Sequence, residues 1–74
     1  MGRAPRVTAK DVIRVLERLG FELSRSKGSH RVYRHPDGRR TVVPFHGGET
    51  LHPKTFASIL KDANITSDEF EDCT

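Results

Sequence analysis

Apolar positions first gather after Thr8. Val12, Ile13, Val15, Leu16 and Leu19 recur at helical spacing and would cover one face, with Arg14, Glu17 and Arg18 on the other. Thr8 suits an N-cap, and Asp11 stands three residues later where a capping-box acid belongs. Gly20 supplies a residue able to turn left-handed and end the helix. The pattern therefore predicts a helix over residues 9–19. Phe21-Glu22-Leu23-Ser24-Arg25 then alternates apolar and polar, as a strand does, and Ser26-Lys27-Gly28 reads as a short turn. A second strand runs from Ser29 to Arg34. His35-Pro36-Asp37-Gly38 is a strong turn, because proline presets one dihedral and Asp-Gly accepts a tight reversal. The third strand is Arg39 to Val43, closed by Pro44.

Phe45 to His52 is a polar loop containing Gly47-Gly48. Pro53 fits the first position of a second helix, along which Phe56, Ile59, Leu60 and Ala63 share a face. Asn64 can close it in the left-handed conformation, with Ile65 packing back beyond the cap. The predicted fold is α+β in the order α-β-β-β-α, a three-stranded antiparallel sheet with both helices on one face. The opposite face is left open to a ligand. Neither repeats nor low-complexity segments interrupt the pattern.

Length narrows this picture. A 74-residue chain is one small domain that buries only about 60% of its unfolded surface, so any site is expected on an open face or in a shallow groove. We divide it into a flexible basic tail (1–7), a folded unit (8–66) and an acidic solvated tail (67–74). Cys73, the single cysteine, lacks an intramolecular partner, which fits a reducing, cytosolic setting. No apolar run has the length of a membrane span or the form of a secretory leader, so no membrane partner is expected.

Charge changes the picture more. The net charge of +3 conceals an asymmetry: residues 1–44 carry 11 Lys/Arg against 4 Asp/Glu, and residues 45–74 carry 2 against 6. A basic body fits a polyanion bound through its phosphates. Lys27, Arg25, Arg31, Arg39 and Arg40 come from neighbouring strands and turns and make a candidate basic strip. Tyr33 and Phe45 are candidate stacking partners for a base, with Tyr33 equally suited to the core.

Among the four histidines, His30 stands out. Histidine as a residue type titrates near neutral pH, so it can both accept and give a proton there. Gly28 and Ser29 precede it, and glycine permits close approach of a ligand. Cations nearby would stabilise charge building on a phosphodiester. The alternative is a hydrogen-bonded structural histidine at the core edge. His30 shares a strand side with Val32 and Arg34, while Ser29, Arg31 and Tyr33 lie on the other, and the pattern leaves open which side meets the helices. His46, followed by Gly47-Gly48, is a second candidate, since backbone N–H groups of a glycine pair can hold a phosphate. His35 and His52 adjoin prolines and read as surface residues. None has helical i,i+4 pairing or Cys/His spacing for zinc, so no metal is expected.

Gly20-Phe21-Glu22-Leu23, Lys27-Gly28-Ser29-His30, Tyr33-Arg34-His35-Pro36-Asp37-Gly38, and Val43-Pro44 with His46-Gly47-Gly48 together resemble the HicA toxin family of bacterial toxin–antitoxin systems. The likeness continues through Leu51-His52-Pro53-Lys54-Thr55 into Phe56, Ile59, Leu60 and Lys61-Asp62-Ala63, over residues 8–66. It rests on order and spacing, since no single motif is specific. The resemblance implies a fold like that of a double-stranded-RNA-binding domain. It also implies a metal-independent, cofactor-free ribonuclease that cleaves messenger RNA and arrests translation, and a HicB-like antitoxin that covers the site. The family's catalytic histidine, in its Gly-Ser-His segment, maps onto His30. Asn64 stands where the family commonly has glycine, which affects only the helix cap.

The expectation is thus an endoribonuclease in which the RNA 2′-OH is the nucleophile. His30 would be the general acid/base, and Lys27 and Arg31 would hold the phosphate. Gly28, Ser29, Arg25, Arg39, Arg40 and His46 are further phosphate-binding candidates. A non-catalytic RNA-binding module with the same basic face is the alternative, and a purely partner-binding protein is a third reading.

Overall fold

The structure, a computed structural model, describes residues 7–46 and 50–73. Its elements are α1 (Ala9–Arg18), β1 (Glu22–Lys27), β2 (His30–Arg34), β3 (Arg40–Pro44), α2 (Pro53–Ala63) and α3 (Ser67–Asp72). The strands form one antiparallel sheet in the order β1-β2-β3, and the predicted α-β-β-β-α order is present with one helix added at the end.

The capping box at α1 forms as its residues require. Thr8 Oγ1 accepts from the Asp11 N–H, and Asp11 Oδ2 accepts from the Thr8 N–H. At the other end the Gly20 N–H donates to Glu17 and the Phe21 N–H to Leu16, the paired bonds of a Schellman motif. Gly20 has φ +100°, and a Cβ there would meet His35 Nε2 at 3.0 Å. Leu16 and Phe21 on either side of this cap are both buried. Full burial of such side chains contributes about 1.5–3 kcal/mol each, so the cap and the core stabilise the same bend.

Both α1 and α2 pack on β3. The core holds Val12, Val15 and Leu16 from α1, Tyr33 from β2, Val43 from β3, and Ile59 and Ala63 from α2. Tyr33 and Val43 face the helices, which settles the side left open by the sequence: His30, Val32 and Arg34 face away from them. Asn64 closes α2 at φ 59°, ψ 47°, and the Ile65 N–H bonds back to Leu60, as expected.

Two expectations at the ends change. Of the proposed basic tail 1–7, residues 1–6 lie outside the described residues. Val7, however, is buried, and its carbonyl accepts from the Leu51 N–H at 2.7 Å. The acidic segment is not a solvated tail over Ser67–Asp72 but a helix. Thr66 and Glu69 form a second capping box, and Phe70 is buried against Phe56 with ring centroids 4.9 Å apart. Among the described residues, no helix is long and apolar enough to cross a membrane.

Candidate functional site

The uncovered sheet face is built by register. β1 and β2 pair as far as Lys27↔His30, joined by a two-residue loop, Gly28-Ser29. Gly28 has φ +59° while Ser29 has no positive φ, the pattern of a type II′ hairpin turn. The turn is therefore Gly28-Ser29 and not the predicted Ser26-Lys27-Gly28, because glycine at its first central position lets pairing continue through Lys27 to the loop. Lys27 becomes the cross-strand neighbour of His30, and Pro44 of β3 flanks His30 on its other side. His30 and Lys27 are both exposed.

A β-bulge decides what else reaches this face. Leu23 pairs with Tyr33 but Arg25 pairs with Val32, so Ser24 is the extra residue. Strict alternation would have left Leu23 and Arg25 on one side. The bulge shifts the parity, keeping Leu23 with Tyr33 on the helix side and delivering Arg25 and Lys27 to the side of His30. Behind the first row, Lys27-His30-Pro44, comes a second, Arg25-Val32-Val42, and then a third, Glu22-Arg34-Arg40. Ser24, Arg25, Val32, Arg34 and Arg40 line a shallow hollow of about 210 Å³.

Several predicted site residues are not part of this face. Arg31 points to the helix side, its guanidinium 4.1 Å from the centroid of the Phe45 ring. It therefore does not stand beside His30 as expected, because neighbours along a strand point to opposite faces. Arg39 is spent on structure: Nε donates to Asp37 Oδ2 at 2.8 Å and Nη1 to the Ala63 carbonyl at 2.6 Å, at the C-terminus of α2. Tyr33 is in the core, where burial raises its hydroxyl pKa above the usual value, assisted by the negative charge of Glu17 and opposed by Arg31. Tyr33 is therefore closed to a base, and Phe45 is half-buried with one ring face taken by Arg31. His46 is exposed, two residues past Pro44, and its partners in the proposed phosphate loop, Gly47 and Gly48, lie outside the described residues.

Two histidines read as surface residues have structural work. His35 Nε2 is 3.0 Å from the Leu19 carbonyl; a carbonyl only accepts, so this nitrogen carries a proton. Its ring meets Phe21 edge-on at 5.1 Å. His52 Nδ1 accepts from the Lys54 N–H and caps α2. Conversely, Arg34, which the sequence reading did not single out, belongs to the basic face. Its shared strand side with His30 was the available signal. Among the described residues, no three His, Cys, Asp or Glu side chains gather as a metal site would require.

The folded unit matches a known family. The model of the HicA toxin of bacterial toxin–antitoxin systems matches residues 9–65, from the start of α1 to the residue after the Asn64 cap. No curated protein matches the chain. Since that match spans α1, the whole sheet and α2, the chain belongs to the HicA toxin family, toxins that pair with an antitoxin.

Proposed function

We propose that this toxin is a metal-independent endoribonuclease that cleaves messenger RNA and so stops translation, acting in the cytoplasm. The observation that carries the reading is the exposed His30 beside Lys27 on the open basic face. RNA brings its own nucleophile. His30 takes the proton of the 2′-OH as that oxygen bonds to phosphorus. The bond from phosphorus to the 5′ oxygen breaks, and the leaving oxygen takes a proton from water, which reaches an exposed face freely. The products are a 2′,3′-cyclic phosphate, open to later hydrolysis, and a 5′-hydroxyl. Lys27 neutralises charge on the phosphoryl oxygens during the step. The turn glycine supports the site by fixing where β2 begins. A HicB-like antitoxin would silence the protein by covering this face.

The test is His30→Ala against a labelled single-stranded RNA in EDTA. Wild type should cut at full rate, while the variant should lose cleavage by a factor of about 10²–10⁴, the usual worth of a general acid–base group, with RNA binding and helical content retained. A His30→Ala protein that still cuts would overturn the assignment. His46→Ala in the same assay examines the other histidine as proton donor. Salt-sensitive binding of intact RNA with no cleavage would favour the non-catalytic module instead.

A further inference from the structure

Three arginines on the open face have no partner among the described residues. Arg25, Arg34 and Arg40 come from β1, β2 and β3 and border one shallow hollow of about 210 Å³ with Ser24 and Val32. Among the described residues, none of the three makes an ion pair or side-chain hydrogen bond, whereas Arg39 next to them makes both. Arg34 and Arg40 are direct cross-strand neighbours, and like charges so placed destabilise a sheet. Glu22, opposite Arg34 on β1, is the one carboxylate in that row, and it does not close an ion pair with it. The described residues hold these cations together without neutralising them, around a recess open to solvent.

We propose that this hollow is an anion subsite for a second, unreacting phosphate of the same RNA strand, in line with the one at His30. This rests on the ribonuclease reading for what lies at His30. Four residues along β2 separate His30 from Arg34, about 13 Å at strand rise. That is too far for one phosphate group and within reach of a phosphate one or two nucleotides further along the same chain. Guanidinium forks match phosphate oxygens in bidentate fashion, and the Val32 and Val42 side chains between the two ends offer apolar floor to the sugar. No base edge is read by such contacts, so the subsite confers preference for length and single-strandedness rather than for sequence.

The experiment uses fluorescein-labelled single-stranded 2′-deoxyuridine oligonucleotides, which lack the nucleophile, in a series of lengths and salt concentrations. Fluorescence anisotropy is read for wild type, Arg34→Gln/Arg40→Gln and Arg34→Lys/Arg40→Lys. Arg14→Gln, an exposed change on α1, is the control. Circular dichroism checks the fold of each. For the longer oligonucleotides the glutamine pair should bind on the order of tenfold more weakly, with a salt slope smaller by about 0.7 for one lost phosphate contact. The lysine pair should fall between, and Arg14→Gln should match wild type. The shortest oligonucleotides, with a single phosphate, should not distinguish the proteins. Unchanged affinity and slope in the glutamine pair would overturn the subsite and leave these arginines to an acidic surface of the antitoxin. If wild type never cuts RNA yet the arginine effect is present, the subsite stands and the ribonuclease reading fails. If wild type cuts and the glutamine pair cuts with unchanged KM, the reverse holds.

Discussion

Asp37 ties the β2–β3 turn together through both carboxylate oxygens. Oδ1 accepts from the Arg39 N–H at 3.0 Å and Oδ2 from Arg39 Nε at 2.8 Å, while Oδ1 also lies 3.0 Å from His35 Nδ1. The Arg39 backbone N–H is the main reason the carboxyl sits below the usual carboxylate range, with the Arg39 and His35 charges adding to it. Because the folded state favours the carboxylate, its contribution is present above the ordinary carboxyl pKa and lost as pH falls through the lowered one. Asp37→Asn keeps an acceptor for the Arg39 N–H and removes the charge. The variant should melt below wild type at neutral pH, and the gap should close as pH falls from about 4. Thermal unfolding by circular dichroism across that range checks it, and a gap independent of pH would refute it. Asp37-Gly38 was legible as a turn. The further reach of this cluster, from Arg39 to the Ala63 carbonyl and from His35 to the Leu19 carbonyl, was not, since it joins elements far apart in sequence.

At the scale of the element, the Ser24 bulge matters most to the candidate site. The alternation Phe21 to Arg25 announced a strand, and the strand is there, but alternation alone misassigns the side of every residue after a bulge. The side of His30 is settled independently of the bulge, by the burial of Tyr33 on β2 and Val43 on β3. Ordinary alternation along β2 turns Arg31 away from His30, whereas the hairpin and its bulge bring Lys27 and Arg25 to the side of His30. Deleting Ser24 should be tolerated, because Leu23 and Arg25 then alternate normally in their present pairs. Deleting Ser26 should turn Lys27 toward the helix side opposite Arg31. The first deletion is expected to retain oligonucleotide affinity close to wild type and the second to lose several-fold, measured by the anisotropy assay with uncleavable strands. Equal affinities would show that strand parity does not deliver Lys27 to the ligand.

Over the whole molecule, charge and packing are divided between two layers. The sheet turns Lys27, Arg25, Arg34 and Arg40 outward, and the chain ends in Asp68, Glu69, Glu71 and Asp72 on α3, held in the helix layer by Phe70 against Phe56. The charge density of residues 68–72 reads as a tail because a helix of six residues, one of them apolar, has almost no amphipathic pattern and would not persist alone. Yet its start was written locally, in Thr66 and Glu69 as capping box and in Ile65 and Phe70 at the two positions of a hydrophobic staple. Phe70 is the buried residue of α3, and Cys73 just past its end is also packed against the core. Phe70→Ala should cost about 3 kcal/mol, the lower part of the range for a buried phenylalanine, seen as a lower urea midpoint. It should leave oligonucleotide binding unchanged, because Phe70 packs on Phe56 in the core, on the opposite side of the sheet from the basic face. An unaltered midpoint would return residues 67–74 to solvent. Weakened binding by a folded Phe70→Ala protein would mean that the acidic helix and the basic face are coupled through the core.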